Sequence, residues 1–413
     1  MDRKLNIVIP LLLFLFITAI LPGLPGMEYD IRTGWIAWSL YIHQNGLINA
    51  YGSGTQYMPV LQYFLWLYGM VMGTDKAIIE HIPYLRCITL AFDFTGIWYV
   101  YKWINKKLAF YALLSVCILN ISYSYNTLIW GQVDGIFSAM LFIAIYYAWK
   151  GANLWSMVWI VLAFNFKLQT IVILPLWGLL FINNCLPGKL WHTVFLPLLV
   201  AILLQIALLI PFSLAPGGIG KICYAFVHSF SIFPAISIKA PNLWHWVAPG
   251  NLLYEPDNQV WIAGLTYKQA GLVLFFTTSF FALLPLMLII LKKMKRGVDS
   301  IHISRELVWT TAALLYLLFY FFNTEIHERY CHPAFIFITA FAFFTNSFFE
   351  YVLFSIMYFL TLEFSMQQLH LSNYGTLIFD MRFLSIFNAI IILSLSVKIY
   401  RYYNLSISKS SVQ

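Results

Sequence analysis

Apolar residues in this chain come in long uninterrupted runs rather than in two-residue alternation. Runs that reach, or nearly reach, the length of a bilayer's hydrocarbon core fall at about 5–22, 85–104, 108–124, 134–149, 153–165, 168–183, 192–212, 269–291, 307–322, 331–347, 350–367 and 380–400. The pattern predicts an all-α polytopic membrane protein of about twelve transmembrane helices. The run 58–72 is shorter, starts at Pro59, and reads as an interfacial or re-entrant helix that does not cross. No repeat, low-complexity tract or soluble domain interrupts the pattern, so residues 1–413 read as one membrane domain.

Positive charge sets the sidedness. With 58–72 not crossing, Arg3-Lys4, Lys102/Lys106/Lys107, Lys150, Lys189, Lys292–Arg296 with Arg305, and Lys398/Arg401/Lys409 all fall on one side, the cytoplasmic one. A long first external loop (23–84) and a large external loop (213–268) then share the opposite face with 125–133, 166–168, 323–330 and 368–379. In the first loop, Trp35, Trp38, Leu40 and Ile42 suit amphipathic helices lying along the membrane surface.

Composition agrees with the runs: 61% of residues are hydrophobic, 19% aromatic and only 10% charged, with a mean hydropathy of +0.79, which excludes a soluble globular protein. The net charge of +8 belongs to loop anchoring. No basic stripe lies in a soluble segment, so nucleic acid is not an expected partner. The five cysteines are scattered without metal spacing and read as small packing residues. The first 22 residues imitate a secretion signal, but Leu21-Pro22-Gly23 is a poor cleavage site and a retained helix is expected.

Against so apolar a background, each external ionisable residue needs a reason. Asp30 follows the first run; it suits a general base at the rim of an apolar cavity, and equally a cap for a helix over 31–44. Trp130-Gly131-Gln132-Val133-Asp134 opens the fourth run. Trp130 offers a flat apolar face for a sugar ring, Gln132 paired donor and acceptor groups, and Asp134 either a helix cap or a polar ligand contact. Lys167, in Asn165-Phe166-Lys167-Leu168-Gln169, runs against the charge rule, so it either pairs with a protein carboxylate or receives an anion. Ala240–Trp246 supplies Asn242 and Trp244, the latter also readable as an interface anchor. His327-Glu328-Arg329 is the strongest phosphate candidate: the guanidinium fork matches phosphate oxygens and a protonated His327 adds a donor. The alternative is a Glu328–Arg329 pair that anchors a helix end. The spacing supports no zinc or two-metal site and no nucleotide-binding fingerprint; no metal and no cofactor are expected.

Taken in order, Asp30, Tyr57-Met58-Pro59, Trp130–Asp134, Lys167/Gln169, Ala240–Trp244 and His327–Tyr330 make the chain resemble the GT-C superfamily of integral-membrane glycosyltransferases. The likeness covers nearly the whole chain. It is nearest to bacterial polyprenyl-phosphate-dependent mannosyl- or glucosyltransferases carrying Trp-Gly-Gln-x-Asp, and more distant from the dolichyl-phosphate-glucose-dependent enzymes. Met58-Pro59 departs from the Tyr-Pro-Pro of many relatives, which leaves the subfamily open. The resemblance implies transfer of a hexose from a polyprenyl-phosphate donor to an extracytoplasmic glycan or lipid-linked acceptor, in a bacterial cytoplasmic membrane. It also implies Asp30 as catalytic base. Arg329, His327 and Lys167 would hold the donor phosphate, and Trp130, Gln132, Asp134, Gln169, Asn242, Trp244 and Glu328 the sugar or acceptor. The rival readings are a transporter or flippase of a lipid-linked saccharide and a polysaccharide polymerase or ligase.

Overall fold

The computed structural model describes residues 5–24, 31–104, 110–229, 233–297 and 302–410. They are mostly helical, with almost no sheet. Among the described residues, five helices are long and apolar enough to cross a membrane: Trp191–Ser213, Tyr267–Arg296, Arg305–Phe322, Phe349–Met366 and Met381–Ile407. Each of the twelve apolar runs contains a helix, but several are short. Asn153–Phe164 and Leu174–Cys185 have 12 residues each, about 18 Å at 1.5 Å per residue, against a hydrocarbon thickness of about 30 Å. The run at 108–124 is split at Asn120, whose Oδ1 accepts from the Ser122 amide at 3.0 Å and starts a new helical turn.

The core is built around helix Asp134–Trp149, which is buried on nearly all sides between helices Arg86–Ile104, Asn153–Phe164 and His332–Thr345. Gly135 lets it approach Arg86–Ile104 closely: a β-carbon there would lie 2.2 Å from Asp93 Oδ1. Asp93 is 1% exposed and takes hydrogen bonds from the Tyr123 and Thr127 hydroxyls at 2.9 and 2.8 Å. Of the cysteines, Cys117 and Cys331 are buried and Cys223 is exposed.

In the first long loop, two residues of the apolar stripe meet protein. Helix Ala37–Asn45 and the turn before it bury Trp35 and Ile42 against the protein, where they pack with helix Pro59–Met72. An apolar stripe at helical spacing suits either lipid or protein, and here the neighbouring helix supplies the protein surface.

The large loop builds a second, smaller core from Ile236, Trp244, Ala248, Leu252, Tyr267 and Ala270. Its hairpin pairs Val260–Ile262 with Leu265–Thr266 across Ala263 and Gly264, both at positive φ. Thr266 then caps helix Tyr267–Arg296 in a reciprocal box with Gln269. That cap fixes where the first turn, carrying Lys268, begins.

Candidate functional site

Three chain turns bring the polar motifs together. The helical turn Tyr125–Trp130 stops at Gly131, whose φ of 74° is left-handed and favours glycine. The chain then re-enters as helix Asp134–Trp149, with Asp134 as its first residue. Lys167 follows the end of helix Asn153–Phe164. Its turn is pinned by Asn165, which exchanges two hydrogen bonds with Gln205 (2.7 and 3.0 Å) and accepts the Val60 amide at 2.9 Å. His327, Glu328 and Arg329 lie between helices Arg305–Phe322 and His332–Thr345. Their backbone is held by Tyr320, whose hydroxyl donates to Glu328 O at 2.9 Å, and by the large loop, where Ile238 N donates to Ile326 O at 2.9 Å.

The side chains meet as a buried ion cluster. Asp134 bridges two cations: Oδ1 accepts from Lys167 Nζ, and Oδ2 lies 3.5 Å from Arg329 Nε. Oδ2 also accepts the Asn126 amide at 3.2 Å, and the same amide meets the Tyr358 hydroxyl at 3.0 Å. Arg329 Nη1 donates to Glu328 Oε1 at 3.1 Å, and His327 Nδ1 stands 3.8 Å from Glu328 Oε2. Aromatic faces complete the seats: the guanidinium lies 5.1 Å over the Trp130 ring and the ammonium 4.8 Å over Tyr330. Side-chain exposure runs from 2% at Asp134 to 12% at Lys167 and His327, so these charges interact with little water screening.

Burial pushes His327 below the usual histidine range, with Glu328 opposing. Its ring can donate a hydrogen bond in either protonation state. Burial acts to raise the Glu328 carboxyl, and His327 and Arg329 overcome it and hold Glu328 below its ordinary value. Burial lowers the Lys167 ammonium, with Asp134 opposing. The cluster therefore balances two cations against two carboxylates.

A cavity of about 790 Å³ opens beside the cluster. Lys167, Arg329, His327, Glu328, Trp130, Gln132 and Gln169 all line it, seven of the predicted site residues on one wall system. Asp134 is not on that wall; it stands behind Lys167 and Arg329 as their shared counter-ion. Of its two sequence-derived alternatives, the helix cap is not taken: Val133 holds that position and Asp134 is the first helical residue. Lys167 takes the paired alternative, and Glu328–Arg329 does form the internal pair, yet all three remain on the cavity surface. Trp130 is 6% exposed and one face of its ring carries the guanidinium.

Two predicted residues are elsewhere. Trp244 is fully buried in the smaller core, edge-on to Trp261 and Tyr267, with Nε1 donating to Phe322 O at 3.0 Å. Asn242, also fully buried, is absent from the cavity wall. The segment acts instead as a brace for the end of helix Arg305–Phe322, with Leu243 N donating to Phe321 O at 3.1 Å. Asp30 lies outside the described residues; Thr33 and Gly34, just beyond it in the chain, are on the cavity wall.

The cavity also has residues that sequence reading did not assign to a site. Trp35, Trp38 and Tyr57 form its first-loop wall. Lys268 and Glu325 pair across its rim at 2.5 Å, with Glu325 at a left-handed φ of 59°. Burial raises the Glu325 carboxyl. Ile171, Leu272 and Phe233 fringe the cavity while being 53%, 40% and 51% exposed. Among the described residues no group of three or more His, Cys, Asp or Glu is placed to hold a metal ion.

No protein-family model matches this chain, and no curated protein matches it.

Proposed function

We propose that the protein transfers a hexose, mannose or glucose, from a polyprenyl-phosphate donor to an extracytoplasmic glycan or lipid-linked acceptor. The observation that carries the reading is the make-up of one cavity: the buried cations Lys167 and Arg329 and the exposed apolar residues Ile171, Leu272 and Phe233 line the same space. A ligand with an anionic head and a long hydrocarbon tail matches both. The fringe residue Leu272 belongs to helix Tyr267–Arg296, one of those long enough to cross a membrane, so the tail would leave the cavity into lipid. In this reading the twelve runs form the membrane domain, with the short helices inside the bundle and the cavity on the extracytoplasmic side of a bacterial cytoplasmic membrane.

Chemically, the acceptor hydroxyl attacks the anomeric carbon, the bond from that carbon to the phosphate oxygen breaks, and the configuration inverts. Asp30 takes the hydroxyl proton. Negative charge grows on the departing phosphate, where donors fixed in a poorly hydrated site are most effective. Arg329 and Lys167 supply them, and Asp134 holds both in place from behind. His327 contributes a hydrogen bond. A departing monophosphate carries less charge than a diphosphate, so the reading requires no divalent cation.

The test is purified protein with synthetic polyprenyl-phosphate mannose and glucose. Hexose transfer that disappears in Asp30→Asn while folded protein is still recovered supports the mechanism. Unchanged transfer in that variant removes Asp30 as the base. Movement of the lipid across vesicles without transfer replaces the enzyme by a flippase.

A further inference from the structure

Helix Gly218–His228 opens the large loop directly after Trp191–Ser213, the least buried of the five helices long enough to cross a membrane. That longer helix exposes Ile202, Leu203, Ile206 and Ile210, an apolar surface of the kind that lipid covers. Exposed apolar residues continue at Leu214 and Ile219, on either side of a turn made by two glycines. Gly217 has a left-handed φ of 67°, and a β-carbon on Gly218 would run into Phe212 O and lie 3.1 Å from its carbonyl carbon. Only glycine fits there, so the joint between the two helices is close and fixed. The second helix has 11 residues and reaches about 16 Å, roughly half the hydrocarbon thickness, so it does not cross.

Its surface divides into three bands. Gly218, Ile222 and Ala225 are buried against protein, and Phe226 beside them packs on Phe164 with ring centroids 6.1 Å apart. Ile219, Cys223 and Val227, each four residues from the next, form a second band that is exposed and apolar. Lys221, Tyr224 and His228 form a third, exposed and polar, with the His228 ring stacked on Tyr224 at 3.6 Å. Water disfavours the second band and a protein interior disfavours the third. The edge of a bilayer accommodates both.

We infer that helix Gly218–His228 is seated in the bilayer leaflet beside the cavity, with Ile219, Cys223 and Val227 among acyl chains and Lys221 and His228 toward headgroups and water. The partner is the lipid surface itself, reached without a break from the exposed side of Trp191–Ser213. Ser229, which ends the helix, lines the cavity, and the exposed Phe233 beyond it lines the same space. The seat therefore sets the depth at which the cavity meets the membrane. It takes part of the large loop out of water, where the charge pattern alone had put all of it. The inference stands whether or not the protein transfers sugar.

The experiment uses full-length protein in lipid nanodiscs with a nitroxide label on the native Cys223. Cys87→Ala and Cys185→Ala remove the two half-buried thiols, and the buried Cys117 and Cys331 stay. Further labels are placed through Ile219→Cys, Val227→Cys and Lys221→Cys, each combined with Cys223→Ala. Power saturation compares collisions with oxygen, which concentrates among acyl chains, and with a nickel chelate, which stays in water. The oxygen-to-chelate ratio is expected to be several-fold higher at Cys223, Ile219→Cys and Val227→Cys than at Lys221→Cys. Preference for the chelate at all four positions puts the helix in water and overturns the seat. Shielding from both reagents at Cys223 means that protein covers the band, and overturns it as well. The Cys223 label requires no substitution in the helix, so its reading stands even where an added cysteine disturbs the fold.

Discussion

Arg329 rests on Trp130: the guanidinium carbon lies 5.1 Å from the ring centroid, and the same side chain reaches Asp134 behind and Glu328 beside it. A planar cation is thus fixed by a flat seat and two carboxylates before any ligand arrives. Lysine carries the charge but neither the plane nor the fork. Arg329→Lys should lower hexose transfer roughly tenfold, equivalent to about 1–2 kcal/mol for a desolvated cation–π seat. Steady-state transfer assays beside a thermal melt check it. A melt that falls as steeply as the activity would assign Arg329 to anchoring alone.

Asp134 and Lys167 should behave as a coupled pair. Removing one partner of a buried ion pair strands the other charge, at about 3–5 kcal/mol. Asp134→Asn strands Lys167 and leaves Arg329 with Glu328 alone, and Lys167→Met leaves Asp134 with Arg329 as its one cation. The double variant should lose less than the sum of the singles, with a coupling of about 1–3 kcal/mol in a denaturation cycle. Strict additivity would count against the pair.

Gly135 is expected to refuse alanine. The added carbon would fall 2.2 Å from Asp93 Oδ1 and 2.9 Å from its Cγ, a carboxylate held in place by the Tyr123 and Thr127 hydroxyls. Gly135→Ala should destabilise by about 1–3 kcal/mol, as overpacking does in dense cores. Adding Asp93→Ala removes the clashing carboxylate, and the glycine effect measured in that background should shrink.

His245 supplies a pH dependence. Burial lowers it to about 4 from the usual 6.5, and its Nε2 lies 3.0 Å from Ala240 O in the large loop. The folded chain keeps it neutral while an unfolded chain would protonate it near 6.5. Between those values the unfolded state binds more protons, so stability is complete above about pH 6.5 and declines as pH falls toward 4. The melting temperature should drop over that window, and His245→Gln should flatten part of the slope. An unchanged slope would show that other groups carry the acid sensitivity.

What the sequence made legible was the position of apolar runs and of charges that such runs rarely tolerate. Lys167, Arg329, His327 and Glu328 were visible because burying charge is costly, and they do share a cavity. Helix length was less legible, since a run of apolar residues does not show where Asn120 or the turn at Asn165 interrupts it. The direction of an aromatic side chain was not legible at all. Trp35 and Trp38 have the spacing of a lipid-facing stripe and turn toward the cavity, while Trp244 turns into a local core. Asn126 and Tyr358, which steady Asp134, are separated by 232 positions and carry no motif. Only the fold brings them together.

The strap formed by 235–244 grips the end of helix Arg305–Phe322 and the residues after it largely through main-chain atoms: Glu325 N to Ala235 O, Ile238 N to Ile326 O, and Leu243 N to Phe321 O. Bonds of that kind are indifferent to which side chains the strap carries. They are unforgiving of its length, because one inserted or deleted residue shifts every later partner out of register. Across natural variants the strap should therefore drift freely in spelling while keeping a constant number of letters.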